Sequence, residues 1–228
     1  VHIAAGNIPN PTWTSLVLGL LTRSAQFVKC GRGASYLPRL FAHSLYDADH
    51  KVGSCLELAE WPGGSTALED VLFAEADCVT ATGADETLRT VQSRLPKHTR
   101  FLGYGHRVSF GYVAADVLFG RSAKQIISAA ATDLVAWNQL GCLSPHVLYV
   151  QHGGEVGTES FAQLLAQELE RCESAEPRGE VPKEVAAAIA SRRAIYEVRA
   201  AHSPETQLWQ SPGSTAWTVV CEADPHFA

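Results

Sequence analysis

Four times in its first hundred residues this chain sets a short apolar run against a helical face, and the connections between them are short. "VHIAAG" is a strand that stops at Gly6-Asn7. Asn10-Pro11 then supplies a helix cap and a proline at the first helical position, and Trp13, Leu16, Val17, Leu20 and Leu21 follow along one helical face. "QFVK" reads as the second strand, and Leu37, Leu40, Phe41 and Leu45 mark the next helix. "SCLELAE" is the third strand, and Thr66 with Glu69 predicts a capping box opening "TALEDVLFAEA". "DCVTATG" and "ADETLRTVQSRL" complete the series as strand and helix. A chain that alternates in this way builds a parallel sheet covered by helices, because only a crossover returns the next strand in the same direction.

Parallel sheets bind ligands beyond the carboxyl ends of their strands. Gly6-Asn7, Lys29 and Thr82-Gly83 all fall at such ends. Near Gly103 the texture changes, which places a domain boundary there, between residues 1–103 and 104–228. Beyond it "RVSFGYV" reads as a strand, "SAKQIISAAATDLVAWNQ" as a long helix that delivers Cys142, and "HVLYV" as another strand. "TESFAQLLAQELERC" and "PKEVAAAIASRRAIYEVRAA" read as helices. In the second of these the alanines are expected to pack and Arg192, Arg193 and Arg199 to face water. Residues 203–215, rich in Ser, Pro, Gly and Thr, read as loop.

The chain has 228 residues, 46% hydrophobic and 18% charged, an ordinary globular balance. A net charge of -6 gives no footprint for nucleic acid, and no apolar run approaches the roughly 20 residues of a membrane span. Methionine is absent throughout, including position 1, and the last residues, "EADPHFA", stop without a natural end, so the sequence reads as a fragment of a longer protein. Cys30, Cys55, Cys78, Cys142, Cys172 and Cys221 include no C-x-x-C pair and no zinc spacing, so no metal site is expected and a reducing, cytoplasmic setting is. Five of them sit in strand or helix patterns as small hydrophobes. Cys142 stands apart in a Gly-Cys-Leu-Ser-Pro turn, where local context leaves a reactive and a structural thiol equally open.

"HIAAGNIPNP", "FVKCGRGAS", "ADCVTATGADET", "FLGYGHRVSFGYV" and "DLVAWNQLGCLSPHVLYV" occur in an order and at spacings over residues 1–152 that resemble the aldehyde dehydrogenase superfamily. The closer likeness is to its acyl-CoA reductase branch, similar to the fatty acid reductase of bacterial bioluminescence. The resemblance implies an aldehyde dehydrogenase-like α/β fold: a parallel Rossmann-type sheet in a nucleotide cofactor-binding domain (1–103), and a second α/β catalytic domain (104–228), both partial. It implies Cys142 as the acyl-accepting nucleophile and Asn7 as an oxyanion donor. Lys29 would bind the cofactor's adenosine ribose, and Thr82 and Gly83 would lie beside its phosphates and nicotinamide. It also implies a homo-oligomer in the full-length protein.

Where most of that superfamily carries a glutamate base, this chain reads "FLGYGHR" with no carboxylate. The loss favours transfer to and from coenzyme A over hydrolysis, hence acyl-CoA reduction to an aldehyde through a cysteine thioester. Arg32 in "KCGRGAS" stands where an acid often grips the ribose hydroxyls, which predicts NADPH over NADH. Rival readings are an acylating aldehyde dehydrogenase, an acyl-phosphate reductase of the same superfamily, or a non-catalytic nucleotide- or partner-binding module. His146, which could help bind or ionise the thiol, and the basic stretch Lys97, His98, Arg100, His106 and Arg107, which could meet cofactor phosphates, are weaker candidates, more simply read as a loop-packing histidine and as solvated loop charge. Asn138-Gln139 either orders the cysteine loop or ends the helix. Trp13, Phe41 and Trp137 read as core aromatics, with an acyl-channel role open to Trp137.

Overall fold

The computed structural model describes residues 1–6, 10–105, 108–141 and 143–224, with the backbone alone at 10 and 11. The chain forms two compact units, Val1–Arg107 and Val108–Ala228.

The first unit runs β1 (His2–Ile3), α1 (Asn10–Leu21), β2 (Gln26–Cys30), α2 (Tyr36–Ala48), the single turn α3 (His50–Gly53), β3 (Leu56–Glu60), α4 (Thr66–Glu75), β4 (Cys78–Thr82), α5 (Asp85–Arg94) and β5 (Arg100–Tyr104). The strands form one sheet in the order β3-β2-β1-β4-β5, every pair parallel. In register, His2, Val28, Leu58 and Thr80 share one face, and Ile3, Lys29 and Ala81 the other. Leu16 of α1 packs on the first face with Val28, Cys30 and Leu56, and Trp13 stacks on Phe41 of α2 beside them. Phe73 of α4 and Val91 of α5 cover Ile3, Val79 and Ala81 on the second. Sheet helices on both faces are what the alternation demands, and the expected parallel sheet is observed.

One polar group interrupts the first face. His2, 8% exposed, donates from Nε2 to Gln26 Oε1 at 2.8 Å, while its Nδ1 meets the Thr80 hydroxyl at 2.6 Å. An amide oxygen only accepts, so Nε2 of this ring carries a hydrogen. Gln26 Nε2 donates in turn to the Leu16 carbonyl at 3.0 Å. A Cβ at Gly19 would fall 2.1 Å from Gln26 Oε1, so a side chain there would displace Gln26 from this network. Burial pushes the His2 pKa below its ordinary value, and the Gln26 bond opposes that in part.

Three local expectations fail here, and one strand is unforeseen. The capping box at Thr66 does not form: α4 has no side-chain cap, and Glu69 is buried against Arg94 of α5. Arg94 also pairs Asp70 at 2.6 Å and lies over the Phe73 ring, so the long-range partner outcompetes the local turn. Cys55 precedes β3 instead of lying within it, and its thiol donates to the Lys51 carbonyl at 3.2 Å. "RFLGY" forms the edge strand β5, where only a change of texture is legible in the sequence. Half the expected α2 stripe stays in solvent, with Leu37 and Leu40 exposed.

The second unit runs β6 (Ser109–Val113), α6 (Gly120–Val135), β7 (Pro145–Val150), α7 (Thr158–Ala175), α8 (Lys183–His202), β8 (Thr206–Gln210) and β9 (Thr218–Glu222), with 3₁₀ turns at Ala115–Val117 and Ala136–Gln139. β6 and β7 pair parallel, and β8 and β9 form an antiparallel hairpin. Its core joins α6 (Ala123, Ile127, Ala131) to α7 (Phe161, Leu165, Leu169) and Val219 of β9. The hairpin corrects the loop expected at 203–215. α8 corrects a second expectation, because none of its residues is buried. Arg193, instead of facing water, donates to Thr218 Oγ1 (2.8 Å), Ser211 Oγ (3.1 Å) and the carbonyls of Ser214 (2.6 Å) and Trp217 (2.7 Å). Arg199 pairs Glu222 at 2.9 Å, so two arginines hold α8 to the hairpin. No described helix is long and apolar enough to cross a membrane.

Candidate functional site

In an open parallel sheet the crevice for a ligand opens where successive connections leave in opposite directions. Here β1 is flanked by β2 and β4, so the crevice lies beyond the carboxyl ends of β1 and β4. Two of the sequence-derived positions, Thr82 and Gly83, are tied to this edge. Thr82 is the last residue of β4, and the Gly83 amide that follows donates to the Tyr104 carbonyl at 3.2 Å. The strand β1 leads through Ala4 and Ala5 to Gly6, and the next residue in the chain, Asn7, lies outside the described residues. Lys29 sits one strand over on β2, aligned with Ile3, and is 7% exposed. Among the described residues it forms no ion pair, which is unusual for a buried ammonium and suits a polar ligand group.

The turn after β2 is shaped by a close backbone approach. A Cβ at Gly31 would come within 2.8 Å of Gly6 Cα and 3.0 Å of Gly6 N, so the two loops touch only because residue 31 lacks a side chain. Arg32 follows, exposed, and Gly33 has φ +72°, a conformation that favours glycine. No such crowding surrounds Gly83, where a Cβ would meet only Thr87 at 3.8 Å. The first turn of α5 carries Asp85 and Glu86, so its amide end already faces acid. Lys97, His98 and Arg100 stand before and at the start of β5, the amino edge of the sheet, away from the carboxyl ends. His106 and Arg107 lie outside the described residues.

Cys142 likewise lies outside the described residues, but its flanks are defined. The helix expected to run to Gln139 stops at Val135. Trp137, Asn138 and Gln139 then adopt left-handed backbone, φ 57°, 52° and 61°. Three consecutive non-glycine residues in that region cost of order 1–3 kcal/mol each, and strain of this kind gathers at functional loops. Across the loop the Gln139 amide donates to the Pro145 carbonyl at 3.1 Å, and the buried Ser144 returns its N–H to the Gly141 carbonyl at 3.1 Å. Gln139 therefore orders the loop, while the helix ends four residues before it. Trp137, read from sequence as core, is 58% exposed; Trp13 and Phe41 do pack on the core of their unit.

The other thiols are poorly placed for nucleophilic work. Burial pushes both Cys30 and Cys221 up, the first with help from Glu60 and the second from Glu159. Cys78 and Cys172 are half-buried, and Cys55 alone among the described cysteines is exposed. Beside the Cys142 loop, and wholly within the second unit, a cleft of about 1540 Å³ is lined by Trp137, Asn138, Gln139, His146, Leu148 and Trp217 among others. Trp137 and His146 thus belong to the wall of a cavity, a placement that their sequence context leaves open. Among the described residues no three His, Cys, Asp or Glu side chains gather as metal ligands.

A family model described as acyl-CoA reductase (LuxC) matches residues 1–225. A long-chain acyl-protein thioester reductase 2 of Photobacterium leiognathi is 24% identical over 223 residues, 94% of this chain and 45% of that protein. A long-chain acyl-protein thioester reductase of Aliivibrio fischeri is 27% identical over 220 residues, 92% and 43% of the two chains. The chain thus spans less than half the length of these curated relatives. Among solved structures, an NAD-dependent benzaldehyde dehydrogenase from Corynebacterium glutamicum superposes with TM-score 0.66 at 12% identity, covering 96% of this chain and 47% of that one. An indole-3-acetaldehyde dehydrogenase in complex with NAD+ gives 0.60 at 15% identity, covering 96% and 45%. At such identities the likeness is one of fold.

Proposed function

The chain belongs to the LuxC family of acyl-CoA reductases, and from that membership we propose that it carries the cofactor and thiol parts of an enzyme that reduces long-chain acyl thioesters to aldehydes with NADPH. What supports this reading most is the convergence of the Gly6 loop and Thr82-Gly83 on one crevice, with the buried Lys29, which forms no ion pair among the described residues, one strand away. Residues 1–103 are the cofactor-binding domain and 104–228 the catalytic cysteine domain.

The residues present fit a dinucleotide: bare backbone at Gly6 and Gly31, a buried ammonium at Lys29 and an exposed guanidinium at Arg32. Lys29 would hold the adenosine ribose, Arg32 the 2′-phosphate, and Thr82 and Gly83 the neighbouring phosphates. When bound, NADPH supplies the hydride. The Cys142 thiolate attacks the thioester carbonyl, forming a new C–S bond, and the donor's thiolate leaves with a proton. The Asn7 amide and the Cys142 N–H donate to the oxygen on which charge grows. After reduction the C–S bond to Cys142 breaks, the aldehyde departs and the thiolate is restored. The absence of a carboxylate in "FLGYGHR" spares the thioester from hydrolysis. The cleft beside the Cys142 loop has room for an acyl chain, with Trp137 at its wall.

Coenzyme A is the donor that the missing base favours. The relatives named for acyl-protein thioesters favour a protein-borne acyl group instead, and the carbonyl chemistry is the same for both. Incubating the full chain with radiolabelled acyl thioester tests the core of the reading. Label is expected on the parent and on Cys55→Ala, and is lost in Cys142→Ala; label retained by Cys142→Ala removes the nucleophile. NADPH consumption with acyl-CoA against an acyl-protein thioester then separates the donors.

A further inference from the structure

The turn that carries Arg32 also holds a carboxylate, contributed by the neighbouring strand. Glu60 ends β3, paired in register with Cys30, and its Oε1 accepts the Gly33 N–H at 2.8 Å. The Ser35 hydroxyl, which caps nothing in α2, lies beside the same carboxylate, and it, Arg39 and Arg32 stand close enough to stabilise its charge. These four groups hold the Glu60 carboxyl below its ordinary range, the Gly33 amide contributing most. Space is open on the Gly33 side: a Cβ there would meet nothing within 4 Å. An exposed, ionised carboxylate is thus seated on the backbone amide of the turn proposed to receive the end of the cofactor that distinguishes NADPH from NADH.

A phosphate monoester brings a charge of about -1.5 to -2 at neutral pH, whereas a ribose hydroxyl brings a proton that a carboxylate accepts. We propose that Glu60 is a specificity-determining residue for the dinucleotide, its carboxylate opposing the 2′-phosphate that Arg32 and Arg39 attract. The inference rests on the reductase reading above and extends it: preference for NADPH is a balance struck across one turn, and Arg32 does not set it alone.

The full chain and its Glu60→Gln and Glu60→Asp variants are compared for kcat/KM with NADPH and with NADH, and for binding of each nucleotide by tryptophan fluorescence. Glu60→Gln raises the NADPH-to-NADH ratio about tenfold, mainly through a lower KM for NADPH, and the gain shrinks at high salt. Glu60→Asp keeps the charge and leaves the ratio near that of the parent. A ratio unmoved in Glu60→Gln, or an equal loss for both nucleotides, overturns the inference while leaving the reductase reading intact. A parent protein that binds neither nucleotide overturns both.

Discussion

The two units solve the problem of presenting a reactive edge in opposite ways. The first builds one sheet of five parallel strands, buries both faces and leaves its carboxyl ends free, so the candidate cofactor groups stand on short turns fixed by neighbouring strands. Among the described residues the second holds a parallel pair and a hairpin, and the loop of its candidate nucleophile opens on three left-handed residues, the last of them bonded across the loop to Pro145. Within the second unit the contrast recurs between helices. α7 buries Phe161, Ala162, Leu165, Ala166 and Leu169, while α8, of similar length and richer in alanine, buries nothing and is held by Arg193 and Arg199. Position at a sheet edge comes from the register of the whole sheet; position on a loop must be secured bond by bond.

The strongest way to break this contrast is in the cores. Leu16→Ala and Leu165→Ala should each cost about 2–5 kcal/mol, and Ile195→Ala on α8 within about 0.5 kcal/mol, read from urea midpoints. Hydrogen exchange should place the Leu16→Ala loss in β1, β2 and β3, and a Leu165→Ala loss spread over those strands would sink the picture of separately packed units. Asn7→Ala should lower kcat about 100-fold with little change in substrate KM, since only a charge-bearing oxygen needs that donor. An equal rise in KM would make Asn7 a binding residue instead. Arg193→Ala should cost about 1.5–3 kcal/mol by freeing the hairpin tip, seen as faster exchange in β8 and β9.

The smallest effect is the most diagnostic of the first unit. The folded His2 has a pKa depressed below 6.5, so as pH falls under that value the unfolded chain takes up a proton that the folded chain resists. Stability from this source is complete above about pH 6.5 and declines with acidification until the folded pKa is passed. Urea midpoints between pH 7.5 and 5 should show the decline, and His2→Gln should flatten it. A slope unchanged in that variant would assign the acid limb to other groups.

The sheet of the first unit was legible because strand periodicity and short crossovers are local signals. β5 was hidden because "RFLGY" is an edge strand that mixes Arg and Gly with its apolar residues. β8 was hidden because "TQLWQ" lies among Ser, Pro and Gly, and its partner is supplied only by "TVVCE" downstream. The false capping box at Thr66 has the same origin: Glu69 is claimed by Arg94, 25 residues on, and no local pattern announces that pairing. The His2–Gln26–Thr80 network and the Glu60–Gly33 bond are legible only once strands are aligned, because each joins residues from different strands or turns. For the site, residue identity and order along the chain were enough to nominate strand ends, and the sheet topology supplied the reason that those ends share a crevice.

The seam between Gly6 and Gly31 carries a lesson for anyone re-engineering this chain. Because main chain lies on main chain there, the segment proposed to lead to the carbonyl oxygen and the segment proposed to receive the nucleotide are mechanically one object. A single added methyl at position 31 would shove its neighbour aside, so loop grafts aimed at altering one ligand should disturb recognition of the other.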